Sequence, residues 1–274
     1  MLRELKPFVG LAFINALFFQ SEIIILSLTR GETQVGLYFA ALKLITVWSI
    51  LHGSYLSGLL PIWTVAYQES EHRAVSIQNR TMKYLSAVAF PLAVGTIVVA
   101  DTVIHQFYGS GFNEAIPTLQ LLSMCLLLGF YNDFFWRVML VYDKQYLVLR
   151  GQMIAEVLHV FLAVILTTRL GCQGAAVALI GRHFTYAVYH IYIFRRDRIP
   201  LPLVQLGWRF ALSSAVMGAI LWISKPWVNL FLLIPLAAII YAILIVVLHA
   251  FSPDDLKELW QVLKLEKDVQ LKIT

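Results

Sequence analysis

The stretch TRGETQVGLYFAALKL, Thr29 to Leu44, reads as the joint between two membrane-spanning helices, and it fixes how the rest of the chain is parsed. Before it, residues 6–28 are apolar enough to span a bilayer, yet they carry Asn15, Gln20, Ser21 and Glu22 in their second half. Behind it, residues 34–67 form a longer apolar run that holds Lys43 and, further along, His52. At a rise of ~1.5 Å per residue, Glu22 lies ~10 Å before the end of the first helix and Lys43 ~13 Å into the second, so an acid and a base stand at similar depth and can meet. A lone charge at that depth costs several kcal/mol, so an ion pair or a water-filled cavity is expected to accommodate them.

Composition supports the same parse. With 59% hydrophobic residues against 14% charged and a mean hydropathy of +0.75, the 274-residue chain is excluded from the water-soluble class and expected to be a polytopic membrane protein. Its two cysteines, Cys125 and Cys172, fall in or beside apolar segments at no metal or redox spacing and read as small packing residues. The leading MLRELK is basic, but the apolar stretch behind it is too long and too polar for a signal peptide and lacks a small-residue cleavage site. It reads as a retained helix.

Runs of ~20 or more mostly apolar residues predict an all-α membrane bundle of about eight helices. Their limits are 6–29, 34–66, 83–107, 115–140, 146–169, 171–194, 205–224 and 227–250. Pro7, Pro117 and Pro226 fall near first turns, where a missing N–H does no harm, whereas Pro61, Pro91 and Pro235 are interior and predict kinks, either around a cavity or for packing alone. Residues 1–195 then form a six-helix bundle, 196–250 a trailing helix pair and 251–274 a tail. In that tail SPDDLKELWQVLKL has Ser252 as N-cap and Leu256, Leu259, Trp260 and Leu263 on one side, an interfacial amphipathic helix or a solubilising cap. The segment between residues 68 and 83 mixes both charges and is expected to lie along the membrane surface or extend its neighbours.

Basic residues near helix ends set orientation. With the amino terminus inside, sixteen Lys and Arg fall on the inner side, while Arg30, Arg169 and Lys225 alone fall outside. Both termini are thus expected in the cytoplasm. The net charge of +5 reports topology and contact with anionic lipid headgroups, and nothing suggests nucleic acid.

No metal spacing, phosphate-cradling glycine loop or nucleophile elbow is present, so no enzyme and no cofactor are expected. What stands out is a set of ionisable residues at membrane depth: Glu22, Lys43, His52, Asp133, Arg137, Glu156, His159, Arg182 and His183. Such residues usually face a bundle interior and often mark a translocation path. Asp133 and Arg137, four apart, are explained by a local pair near the cytoplasmic surface. Glu156 and Arg182 each lie ~15 Å from their entry side on adjacent antiparallel helices, which predicts a buried pair or a cavity lining. For Arg182 and Lys43, neutralisation by a neighbour and ligand binding both remain open, and the three histidines suit packing as well as proton carriage. Gly174 and Ala178, and Ser214 and Gly218, are small-xxx-small pairs that predict close helix approach.

Four motifs carry a resemblance: VGLYFAALKL (35–44), LLPIW (59–63), DTVIHQFYGSGFNEAIPTLQLL (101–122) and GCQGAAVALIGR (171–182). In this order they resemble the polysaccharide or O-antigen flippases (Wzx type) of the multidrug/oligosaccharidyl-lipid/polysaccharide exporter superfamily. That resemblance covers about residues 6–195. It implies two pseudo-symmetric bundles, of which this chain matches the second plus the trailing pair, and movement of undecaprenyl-pyrophosphate-linked oligosaccharide across a bacterial inner membrane in O-antigen or lipopolysaccharide biosynthesis. The missing first bundle implies a fragment, a truncated frame, or a half-transporter that self-associates or pairs with a first-bundle half. No invariant family motif transfers residue by residue; Lys43, Arg182, Glu22, Glu156, Asn15 and Tyr38 are candidate substrate-binding residues from charge, polarity and depth, with Tyr55 and Trp48 as further liners. A drug or ion antiporter of the same superfamily and a non-transporting scaffold are the rival readings.

Overall fold

A computed structural model describes Val9, residues 21–201 and residues 203–252. Asn15, Pro7 and most of the proposed amphipathic tail lie outside the described residues. Eight α-helices are described: α1 (Ser21–Arg30), α2 (Glu32–Glu69), α3 (Glu71–Tyr108), α4 (Ala115–Val141), α5 (Gln145–Leu170), α6 (Cys172–Arg196), α7 (Leu203–Ser224) and α8 (Leu230–Val247). A single 3-10 turn, Ser110–Phe112, precedes α4, and no strand occurs among the described residues.

The joints are short because single residues make them. Gly31, at φ 80°, alone separates α1 from α2, a left-handed conformation that costs glycine little. Ser70, in extended backbone, alone separates α2 from α3. The mixed-charge segment 68–83 therefore extends its neighbours. Each of these helices has 38 residues and reaches ~57 Å, well beyond a hydrocarbon core of ~30 Å, so their charged joint projects past the apolar layer. The last expected span also shifts. Pro226 sits in a turn, and α8 starts only at Leu230, where the Asn229 side chain accepts from Leu232 N at 3.0 Å.

Central to the bundle is α4, which packs against α2, α3 and α6. Its Phe134 and Phe135 are fully buried, with Phe134 stacked near Trp63 of α2 at 5.7 Å and Phe135 edge-on to Phe194 of α6 at 5.5 Å. A second apolar cluster, built on Phe210, Met217 and Leu221 of α7 and Leu233 and Tyr241 of α8, packs against α3. The small residues act as expected. A Cβ on Gly174 would collide with the Leu166 carbonyl of α5, and one on Gly218 would meet Val94 of α3 at 2.5 Å.

Six described helices, α2, α3, α4, α5, α7 and α8, are long and apolar enough to cross a membrane. Eight spans were expected, and the two others differ for separate reasons. Of the first, only the last ten residues are described as α1; α6 has the length but carries Gln173, Arg182, His183 and His190, and it packs closely on α4 and α5. Large apolar side chains such as Ile50, Ile62, Phe161 and Phe231 point outward, which suits lipid as the surrounding medium.

Charge divides the bundle ends. At one end Arg30 donates to the carbonyls of Thr168 (2.6 Å) and Arg169 (3.0 Å), covering the last turn of α5, while Gln34 bridges Cys172 N (2.9 Å) and Glu114 (2.9 Å). Lys225 pairs with Asp101 near the same end. At the other end Lys144 pairs with Asp197 at 2.5 Å, Gln78 donates to the Pro200 carbonyl and Arg209 to that of His249.

Candidate functional site

The acid of the opening stretch does not meet its base. Glu22, 5% exposed on α1, takes the Tyr38 hydroxyl at 3.4 Å and turns toward His159 of α5, whereas Lys43 lies exposed on α2 with no ion pair among the described residues. Glu156 and Arg182 do meet: Arg182 Nη1 donates to Glu156 Oε1 at 3.1 Å, joining α5 to α6. Between the two buried acids sits His159, fully enclosed, its Nε2 3.8 Å from Glu22 Oε2 and its Nδ1 3.4 Å from Glu156 Oε2.

Two adjoining cavities, of about 410 and 610 Å³, share Ser49, Gly129, Glu156, Arg182 and His183 as a common wall. Glu22 and the apolar Ile45, Leu122 and Leu179 help to line the larger one. The smaller is polar and aromatic, with His52, Asn132, Asp133, Trp136, Gln152 and Tyr186 on its surface. Of the expected substrate-binding residues, Arg182, Glu22 and Glu156 thus line a cavity. Tyr38 is buried behind Glu22, and Lys43, Trp48 and Tyr55 line neither space, although Leu42 and Thr46, flanking Lys43 on α2, line the larger.

Asp133 and Arg137 form the local pair that their spacing predicts, at 3.0 Å, but they do more than that. Arg137 is 5% exposed and its Nη2 also donates to Gly53 O (3.2 Å) and Ser57 Oγ (3.0 Å) on α2, while His52 Nε2 stands 3.0 Å from Asp133 Oδ2. The cluster is therefore a polar staple between α2 and α4, with His52 stacked on Phe130 at 4.0 Å. Ser49, Asn132, Gln152 and Trp136 were not singled out as liners from sequence. Uncharged residues give no depth signal, and only the relative rotation of α2, α4, α5 and α6 brings them to one surface.

Residues 5–117 match a family described as polysaccharide biosynthesis protein. Among solved structures, lipid II flippase MurJ in an inward closed conformation superposes with a TM-score of 0.72 at 13% identity. The chain has a MurJ-like fold. The superposition covers 86% of this chain and 50% of MurJ, so the chain spans about half the length of that relative. No curated protein matches the sequence. Within the MurJ-like fold, the charged cavities lie among α1, α2, α4, α5 and α6 and leave the trailing α7–α8 pair aside.

Proposed function

We propose that this chain is half of a flippase that carries an undecaprenyl-pyrophosphate-linked oligosaccharide, of the O-antigen kind, across a bacterial plasma membrane. The observation that carries the reading is the position of Arg182 in the wall shared by two adjoining cavities, the larger with Ile45, Leu122 and Leu179 and the smaller with Asn132, Asp133 and Gln152 on its surface. A planar guanidinium suits a pyrophosphate through paired charge-assisted hydrogen bonds. Asn132, Asp133, Gln152 and the Trp136 face offer donors, acceptors and a stacking surface to sugars, and the volumes lie in the range of small-molecule sites. The lipid tail stays in the bilayer. Lys43, beside the larger cavity on α2, is the second cation for the phosphates. The family match and the MurJ-like fold support the transport class, and the basic residues clustered at one end of the bundle support cytoplasmic termini.

A cavity that alternates between the two sides of a membrane needs a complementary bundle as its second wall, and alternating access runs between the two. The test is glycan export in cells lacking their own flippase, with this chain expressed alone and beside a complementary bundle. Export is expected only with the second wall present. Arg182→Gln should lower it ~10- to 100-fold, with partial recovery in Arg182→Lys. If Lys43→Glu and Arg182→Glu together leave surface glycan unchanged, the phosphate-binding role is wrong.

A further inference from the structure

We propose that Glu22, His159 and Glu156 form a one-proton site whose occupancy releases Arg182 to the phosphates of the cargo. The proposal rests on the flippase reading for its second half only. Four buried atoms, Glu22 Oε2, Glu156 Oε2, His159 Nδ1 and His159 Nε2, lack a hydrogen-bond partner among the described residues, and they face one another in two pairs, at 3.8 and 3.4 Å. A neutral imidazole carries one N–H, so one of its nitrogens must present a lone pair to a carboxylate oxygen. Leaving a buried acceptor unsatisfied is costly, and two acceptors facing each other are worse. One added proton turns both ring nitrogens into N–H groups, so that each carboxylate oxygen faces a positive donor: Glu156 Oε2 at 3.4 Å, within hydrogen-bond reach, and Glu22 Oε2 at 3.8 Å, in ion-pair contact. The charges agree: two carboxylates and one guanidinium leave the cluster at −1, and the proton brings it to zero.

His159 is fully buried, but Glu156 and Glu22 border the larger cavity, so a proton from water reaches the ring through either acid. The other titratable or charged groups around the cluster are Tyr38 from α2, Cys125 and Asp133 from α4, and Arg182, His183 and Tyr186 from α6. The consequence for transport lies at Glu156. It holds Arg182 through Oε1, and an imidazolium at Oε2 competes for the same negative charge. Proton arrival therefore weakens the grip on Arg182, and by reciprocity an anion bound to Arg182 favours proton uptake.

The test uses the full chain, ¹⁵N-labelled at histidine, in lipid nanodiscs, with the His159 signal identified by its loss in His159→Gln. The wild-type signal should pass reversibly between neutral and doubly protonated forms over the pH range in which the protein stays folded, and should remain neutral when Glu22→Gln and Glu156→Gln are combined. A ring that stays neutral in the wild type, or titrates alike with both acids replaced, overturns the proposal. So does a signal that responds to sodium instead of pH. Inorganic pyrophosphate is the probe for linkage: it should bind ~5-fold or more tightly when His159 is protonated, an effect absent in His159→Gln. If His159 titrates while pyrophosphate fails to bind at any pH, the proton site stands and the cargo reading falls. Equal pH dependence of pyrophosphate binding in wild type and His159→Gln overturns the release of Arg182.

Discussion

At the scale of the single residue, the chain shows how a membrane interior disposes of charge. Arg137 is neutralised by Asp133 and by backbone and hydroxyl acceptors of α2, and Arg182 by Glu156, so neither faces lipid alone. Space is as tightly constrained as charge. Gly174 lets α6 lie against the backbone of α5 at Leu166, and there is no flexible side chain there to move aside. Gly174→Val should therefore force α5 and α6 apart and destabilise the protein by about 2–3 kcal/mol, the upper range for overpacking. The check is a lowered unfolding midpoint in detergent. Gly36→Val, where the added group meets nothing, serves as the neutral comparison.

Among the elements, the joints between helices do specific work. Arg30 and Gln34, on either side of Gly31, reach across to the α5–α6 turn and the start of α4, so the shortest joint also caps its neighbours. At the opposite end Asp197, just past α6, takes Arg196 Nε at 2.6 Å and Lys144 Nζ at 2.5 Å, tying α6 to the α4–α5 turn. Those hydrogen bonds, Arg196 first and Lys144 second, hold its carboxyl down to about 2. A carboxylate whose affinity for protons is lowered by folding contributes stability above its ordinary value of ~4 and loses it as the pH falls toward the folded value. Wild type should thus exceed Asp197→Asn in thermal stability at neutral pH. The gap should close as pH falls from ~4 to ~2, and a gap that stays constant with pH would mean that the carboxylate's charge is not what links the helices.

For the whole molecule, the alternation of basic residues makes a prediction about sidedness. Arg30 and Arg169 share one end with Lys225, while Lys144, Arg196 and Arg209 gather at the other, as an inside–outside division requires. Reporter fusions after residues 31, 111, 170 and 225 should read exterior, and those after 70, 143, 198 and 274 cytoplasmic. An exterior signal at 70, 143, 198 or 274 would sink the proposed orientation. The same division accounts for the long α2–α3 pair, whose joint at Ser70 carries Glu69, Glu71, His72 and Arg73 beyond the apolar layer.

The sequence by itself determined the class, the helical content and most helix limits, because these follow from the length of apolar runs and from the positions of glycine and proline. It also gave the position of each charge along its helix, a count of residues, and so a buried pair or a shared cavity lining for Glu156 and Arg182 could be expected from spacing. What it left open was azimuth. Whether Glu22 turns to Lys43 or to His159, whether Lys43 lines a cavity, and whether Ser49, Asn132 and Trp136 share a surface all depend on how each helix is rotated against four neighbours. That rotation is set by packing around the aromatic core of Trp63, Phe134, Phe135 and Phe194 and by close contacts such as Gly174 on Leu166, which join residues far apart in the chain. Only the tertiary structure therefore decided that two acids from different helices would close on one buried histidine.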